Sequence, residues 1–136
     1  VWKSKESLIV LTPDDSFARR GASYQQRRCL DNVWTNTREM EDLKRGLDAS
    51  ISTRDHSRLQ CAYLTFTPTS STIAKSRLLG RGGLRELSTK LFKLPGEWLP
   101  YWLDEGYRPN IISVDFYDKT DVVQAAINAN RRLLGS

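Results

Sequence analysis

The sequence holds no apolar run approaching the roughly 20 residues of a membrane-spanning helix, a single histidine, a single methionine and only two cysteines in 136 residues. Its longest apolar stretches are strand-sized. With His56 as the one imidazole, chemistry that needs two histidines cannot be completed by this chain alone. Cys29 and Cys61 lie 32 positions apart and match no metal-ligand spacing; one disulfide, two buried thiols and a bond to another chain all stay open. There is no Asn-x-Ser/Thr acceptor and no initiator methionine, signal peptide or transit sequence. The opening on Val1-Trp2-Lys3, a few residues before an apolar strand, reads as the start of a processed or truncated product.

What is present suits one globular domain over residues 1–136: 39% hydrophobic, 27% charged, with no long block of one sign. The length falls short of the about 250 residues of a whole (β/α)8 barrel. A net charge of +5 and a pI near 9.4 favour anionic partners such as lipid headgroups, phosphate esters or nucleic acid. The aromatic-basic strand motif of single-strand binders is missing, which sets nucleic acid aside.

Four apolar runs read as strands: Ser7 to Thr12, Cys29 to Trp34, Leu59 to Phe66 and Asn110 to Phe116. Between the first two, Ser16 to Arg28 is polar and Arg-rich and reads as a long loop. Asn36 with Glu39 predicts a capping box, followed by Met40, Leu43, Leu47 and Ile51 at helical spacing. Helical patterns also run through Ile73 to Leu79, Leu84 to Lys93 and Glu97 to Glu105, with Pro95-Gly96 as punctuation and Gly106 and Pro109 closing the last. Thr120 is the expected N-cap of a final helix whose inner side would carry Val123, Ala126, Ile127 and Leu134. Strands alternating with helices predict an α/β fold with a parallel sheet, helices outside.

Some of these segments carry a resemblance. Leu64-Thr-Phe-Thr-Pro68 with Thr72-Ile73-Ala74, the terminal Asn110-Ile-Ile-Ser-Val-Asp-Phe-Tyr117 with Asp121-Val-Val-Gln-Ala-Ala-Ile-Asn-Ala-Asn130, and Trp34-Thr-Asn36 before a Leu-rich helix occur in order. Together they resemble the second half of the phosphatidylinositol-specific phospholipase C X-domain family. The resemblance implies the C-terminal half, about four strands, of a distorted TIM (β/α)8 barrel, completed by another chain or a missing segment. In such barrels chemistry sits at the C-terminal ends of the strands. The implied reaction cleaves a phosphodiester, with the inositol 2-hydroxyl as internal nucleophile and two histidines as general base and acid. Asp115 matches the family's carboxylate partner to the base histidine; Asp31 matches a position contacting inositol hydroxyls; Trp34 matches an aromatic wall beneath the ring. Where some bacterial members place an inositol-binding Arg after the first strand, this chain has Thr12-Pro13-Asp14.

The resemblance places both catalytic histidines in the first half of the barrel. The implied partners are an N-terminal half-barrel chain of the same precursor, an inositol phospholipid or other phosphodiester, and a membrane surface. No cofactor or metal is implied by the smaller, metal-independent members, and the location would be secreted or membrane-peripheral. The competing reading is an inactive barrel kept for binding a sugar, a lipid headgroup or a protein. His56 falls in a polar loop on the opposite, stability face and reads as a bystander. Trp98, Tyr101 and Trp102 read as packing residues, the pairs Arg19-Arg20 and Arg27-Arg28 as a solvated basic loop, Gly80-Arg-Gly-Gly83 as a linker, and Arg131-Arg132 as complements to a helix dipole.

Overall fold

The computed structural model describes residues 30–80 and 82–135, together with the backbone of β1 (Leu11–Thr12) and β2 (Tyr24–Gln25). β1 and β2 pair in parallel as a separate two-stranded sheet. β3 (Leu30–Val33), β4 (Leu59–Leu64) and β5 (Ile111–Val114) form a parallel sheet in chain order. Helix α1 (Met40–Ser52) links β3 to β4. Helices α2 (Ser70–Leu79), α3 (Leu84–Ser88) and α4 (Leu94–Asp104) lie between β4 and β5, and α5 (Val122–Leu134) ends the chain. The fold is mixed α/β with a small parallel sheet.

Residues paired across parallel strands point to the same face, and successive residues alternate. The row Val33, Ala62, Ile112 and the row Leu64, Val114 share one core cluster with Leu43, Leu47 and Ile51 of α1, Trp98 and Trp102 of α4, and Ala125 of α5. All three helices therefore cover the same face of the sheet. Each fully buried aliphatic side chain there contributes about 1.5–3 kcal/mol. Trp102 is completely buried, and its indole N–H donates to Asp48 Oδ1 at 2.7 Å. Its ring lies 6.0 Å from that of Trp98 in a tilted pair. Both tryptophans are packing residues, as their spacing predicts. The intervening rows, Asn32–Cys61–Ile111 and Tyr63–Ser113, turn to the other face, which the start of α3 reaches at Leu84.

Several boundaries differ from the pattern in the sequence, each for a local reason. Of the first expected strand only Leu11–Thr12 falls among the described residues; its partner, Tyr24–Gln25, lies inside the stretch read as loop. The capping box at Asn36 does not form. Asn36 adopts a left-handed backbone (φ 50°) before the helix, Glu39 becomes the N-cap, and its amide donates to Thr37 Oγ1 at 3.1 Å. Pro95-Gly96 is the first turn of α4 rather than a break, because proline lacks only an N–H that a first turn leaves unpaired anyway. The far end of α4 closes as expected: Gly106 takes φ +81°, its amide donates to the Leu103 carbonyl and that of Tyr107 to the Trp102 carbonyl at 2.7 Å, a Schellman motif.

The last helix is rotated from its expected orientation. Asp121, not Thr120, is the N-cap; its carboxylate accepts the Gly96 amide at 3.2 Å and its own amide donates to the Phe92 carbonyl at 3.0 Å. Eleven residues on, Arg132 is hydrogen-bonded to Asp104 of α4. Eleven residues is close to three helical turns, so these two pins hold one flank of α5 against α4, with Ala125 and Ala129 between them. Val123 and Ile127 consequently face outward, 58% and 42% exposed, as does Leu134.

Candidate functional site

The register of the sheet builds the site. One residue past β3, Trp34 continues the row Tyr63–Ser113; two residues beyond, Thr65 and Asp115 leave β4 and β5 side by side. All five line a concavity of about 490 Å3 at the C-terminal ends of the strands, on the face away from α1, a size suited to a small ligand. Asn32 forms its floor; Phe66, Pro68 and Leu84 complete its wall. The Trp34 indole N–H donates to Thr67 Oγ1 at 3.2 Å, and Thr67 is tied to Thr37 by an amide-to-carbonyl bond of 2.8 Å. A large exposed ring is thereby held upright at the rim.

The lining pairs aromatic surface with neutral donors and acceptors (Asn32, Tyr63, Thr65, Ser113) and one carboxylate, Asp115. Tyr63 has its hydroxyl pKa pushed up, first by burial and then by the neighbouring Cys61 thiol, so it remains a neutral donor through the physiological range. Cys61 is a buried free thiol, its pKa also raised by burial; Cys29 lies outside the described residues. Such a lining hydrogen-bonds hydroxyl groups and stacks on the apolar face of a ring. No described side chain in it is cationic, and no group of described acidic, histidine or cysteine residues is placed to hold a metal ion.

Of the three residues singled out in the sequence, the concavity brings together Asp115 and Trp34. Asp31 is not in its lining: it pairs with Gln60 and turns to the face opposite Asn32, where the buried Gln60 side chain donates to the Ser50 carbonyl of α1 at 3.2 Å. His56 is exposed in the turn before β4, at the opposite end of the strands, beside Asp55, whose pKa is lowered by bonds from the Ser57 hydroxyl and amide. Asn32, Tyr63, Thr65 and Ser113 were not anticipated. Their signal was present as equal spacing before the strand exits, Tyr63-x-Thr65 beside Ser113-x-Asp115. The Arg19-Arg20 and Arg27-Arg28 pairs lie outside the described residues. A smaller groove of about 220 Å3 between α4 and α5 has Asp121 and Arg132 already engaged by Gly96 and Asp104, so it reads as helix packing. No protein-family model, curated protein sequence or solved structure matches the chain.

Proposed function

We propose that this chain is the C-terminal half of a phosphatidylinositol-specific phospholipase C-like barrel, supplying the polyol-binding wall and one catalytic carboxylate of a phosphodiesterase. The observation that carries the reading is the convergence of Asp115 and Trp34 in one concavity at the strand exits, on a sheet whose helices α1, α4 and α5 pack on the other face. Parallel sheets are nearly always covered on both faces, so the open rows call for a second layer of protein. Chain-order strands with α1 and α4 packed on one side support a barrel-like winding over that of a doubly wound sheet. The β5 edge would pair with a strand of the N-terminal half, and the bare apolar flank of α5 would pack on its first helix.

In this reading the inositol ring lies against Trp34, with its hydroxyls held by the neutral donors and acceptors beside it. A histidine from the N-terminal half takes the proton of the 2-hydroxyl as its oxygen attacks phosphorus. Asp115 accepts the other ring N–H of that histidine, fixing its tautomer and stabilising the imidazolium. A second histidine protonates the departing diacylglycerol oxygen, leaving a cyclic inositol phosphate. Helix α2, which buries no residue and shows Ile73, Leu78 and Leu79 beside Lys75 and Arg77, would rest on the lipid surface.

The test is release of cyclic inositol phosphate from phosphatidylinositol vesicles by this chain together with the polypeptide that co-purifies with it. Asp115→Asn should lower turnover by about 10³–10⁴-fold, as loss of a histidine-orienting carboxylate does elsewhere, and unchanged turnover removes Asp115 from the mechanism. The neutral lining equally favours a second reading, a barrel that binds a polyol without cleaving it. A co-purifying chain without histidines at its strand ends, in a complex that still binds myo-inositol, would select that one.

A further inference from the structure

Two non-glycine residues among those described have positive φ, and both follow a strand that opens on the concavity: Asn36 at 50° and Phe116 at 54°. Asparagine tolerates the left-handed region because its short polar side chain can bond locally; a phenylalanine there is a steric outlier. Strain of this kind persists only where the surroundings impose it, and it gathers at functional sites. Phe116 directly follows Asp115.

The surroundings that impose it are on two sides. The Phe116 carbonyl accepts the Lys119 amide at 2.8 Å, closing the 3-10 turn Tyr117–Lys119. The guanidinium carbon of Arg85 sits 4.8 Å from the centre of the Phe116 ring, within the range of a cation–π contact. Leu84, the neighbour of Arg85, and Asp115, the neighbour of Phe116, both line the concavity. The contact therefore ties one wall to the other, just after a linker that contains two glycines with positive φ, Gly80 and Gly82.

We propose that Phe116 is a positioning residue: its left-handed backbone, clamped through its ring by Arg85, ends the pleat of β5 so that the Asp115 carboxylate is held in one rotamer over the concavity. A glycine would adopt the same φ without strain, and the ring contact is what a glycine lacks. The ring is kept for the aim of its neighbour rather than for local backbone comfort. The importance of that aim for polyol recognition rests on the function proposed above; the clamp itself does not.

The test is made on the chain itself with F116G, F116N, R85A and the conservative F116Y. Three-bond couplings from the Asp115 Cγ to its backbone nitrogen and carbonyl carbon report whether χ1 is fixed or averaged. Wild type and F116Y should show a single rotamer. F116G, F116N and R85A should show averaged couplings, with unfolding midpoints close to wild type because Gly and Asn suit the backbone. Titration with myo-inositol should then weaken about fivefold in F116G and remain unchanged in F116Y, the loss expected when a preorganised contact is released. Couplings in F116G identical to wild type would overturn the proposal. If the couplings average as expected but wild type binds no myo-inositol either alone or in complex with the polypeptide that co-purifies with it, the positioning role stands and the functional reading falls.

Discussion

The two faces of the β3–β4–β5 sheet have the same backbone and opposite chemistry. One is lined by Val33, Ala62, Leu64, Ile112 and Val114, sealed by three helices and anchored by a fully buried tryptophan. The other carries Asn32, Tyr63, Ser113 and Asp115 around an open hollow, with Ile111 39% exposed. The first face holds the fold together, and the second contributes little to that while presenting the polar groups that line the hollow. Because rows alternate by single residues, a shift of one position in register would exchange the two roles.

This contrast can be broken by substitution. Trp102→Ala removes the largest buried side chain of the sealed face and should cost about 3–5 kcal/mol in urea unfolding; a small loss would mean that the helices are not what stabilises the sheet. Gly96→Ala should follow at about 1–3 kcal/mol, since a Cβ there would come 2.4 Å from Asp121 Oδ2 and push α5 off its pin. A pH effect comes next. Burial raises the Cys61 thiol pKa, and that of Tyr63 beside it, so the unfolded chain releases these protons first. Stability should be unaffected at neutral pH and decline once pH passes the ordinary thiol value of about 8.5; urea midpoints at pH 7.5 and 10 should differ less in Cys61→Ala. Smallest of all, Ser113→Ala on the open face should change stability by no more than about 0.5 kcal/mol, and a cost comparable to Trp102→Ala would erase the distinction between the faces.

Much of this arrangement was legible in the sequence where a pattern depends on neighbours along the chain. The apolar runs located β3, β4 and β5, the Leu43–Leu47–Ile51 spacing gave the buried side of α1, and Gly106 marked the end of α4. The failures arise where a distant contact decides. The turn of α5 is set by Gly96 and Asp104, 25 and 28 residues away, and an apolar stripe alone cannot say which flank a helix buries. Asp31 carried the expected residue type, but the pairing of β3 with β4 turns it away and presents Asn32 instead. The positions of Asp115 and Trp34 at strand exits were readable from the strand patterns and the turns after them, whereas the roles given to them came from the resemblance. The left-handed Phe116 left no trace in the composition, since nothing about a Phe after an Asp announces its backbone angle.

The bare flank of α5 has a further consequence for how much of this chain a cell can hold. Val123, Ile127 and Leu134 exposed along one side, like the β5 edge that pairs with no described strand beyond β4, are features that self-associate or recruit quality control when left bare. Covering them adds stability in proportion to the logarithm of the covering partner's concentration. On the half-barrel reading proposed above, the abundance of the chain should therefore track the supply of the covering partner, with any excess cleared by proteolysis, even where the site itself is intact.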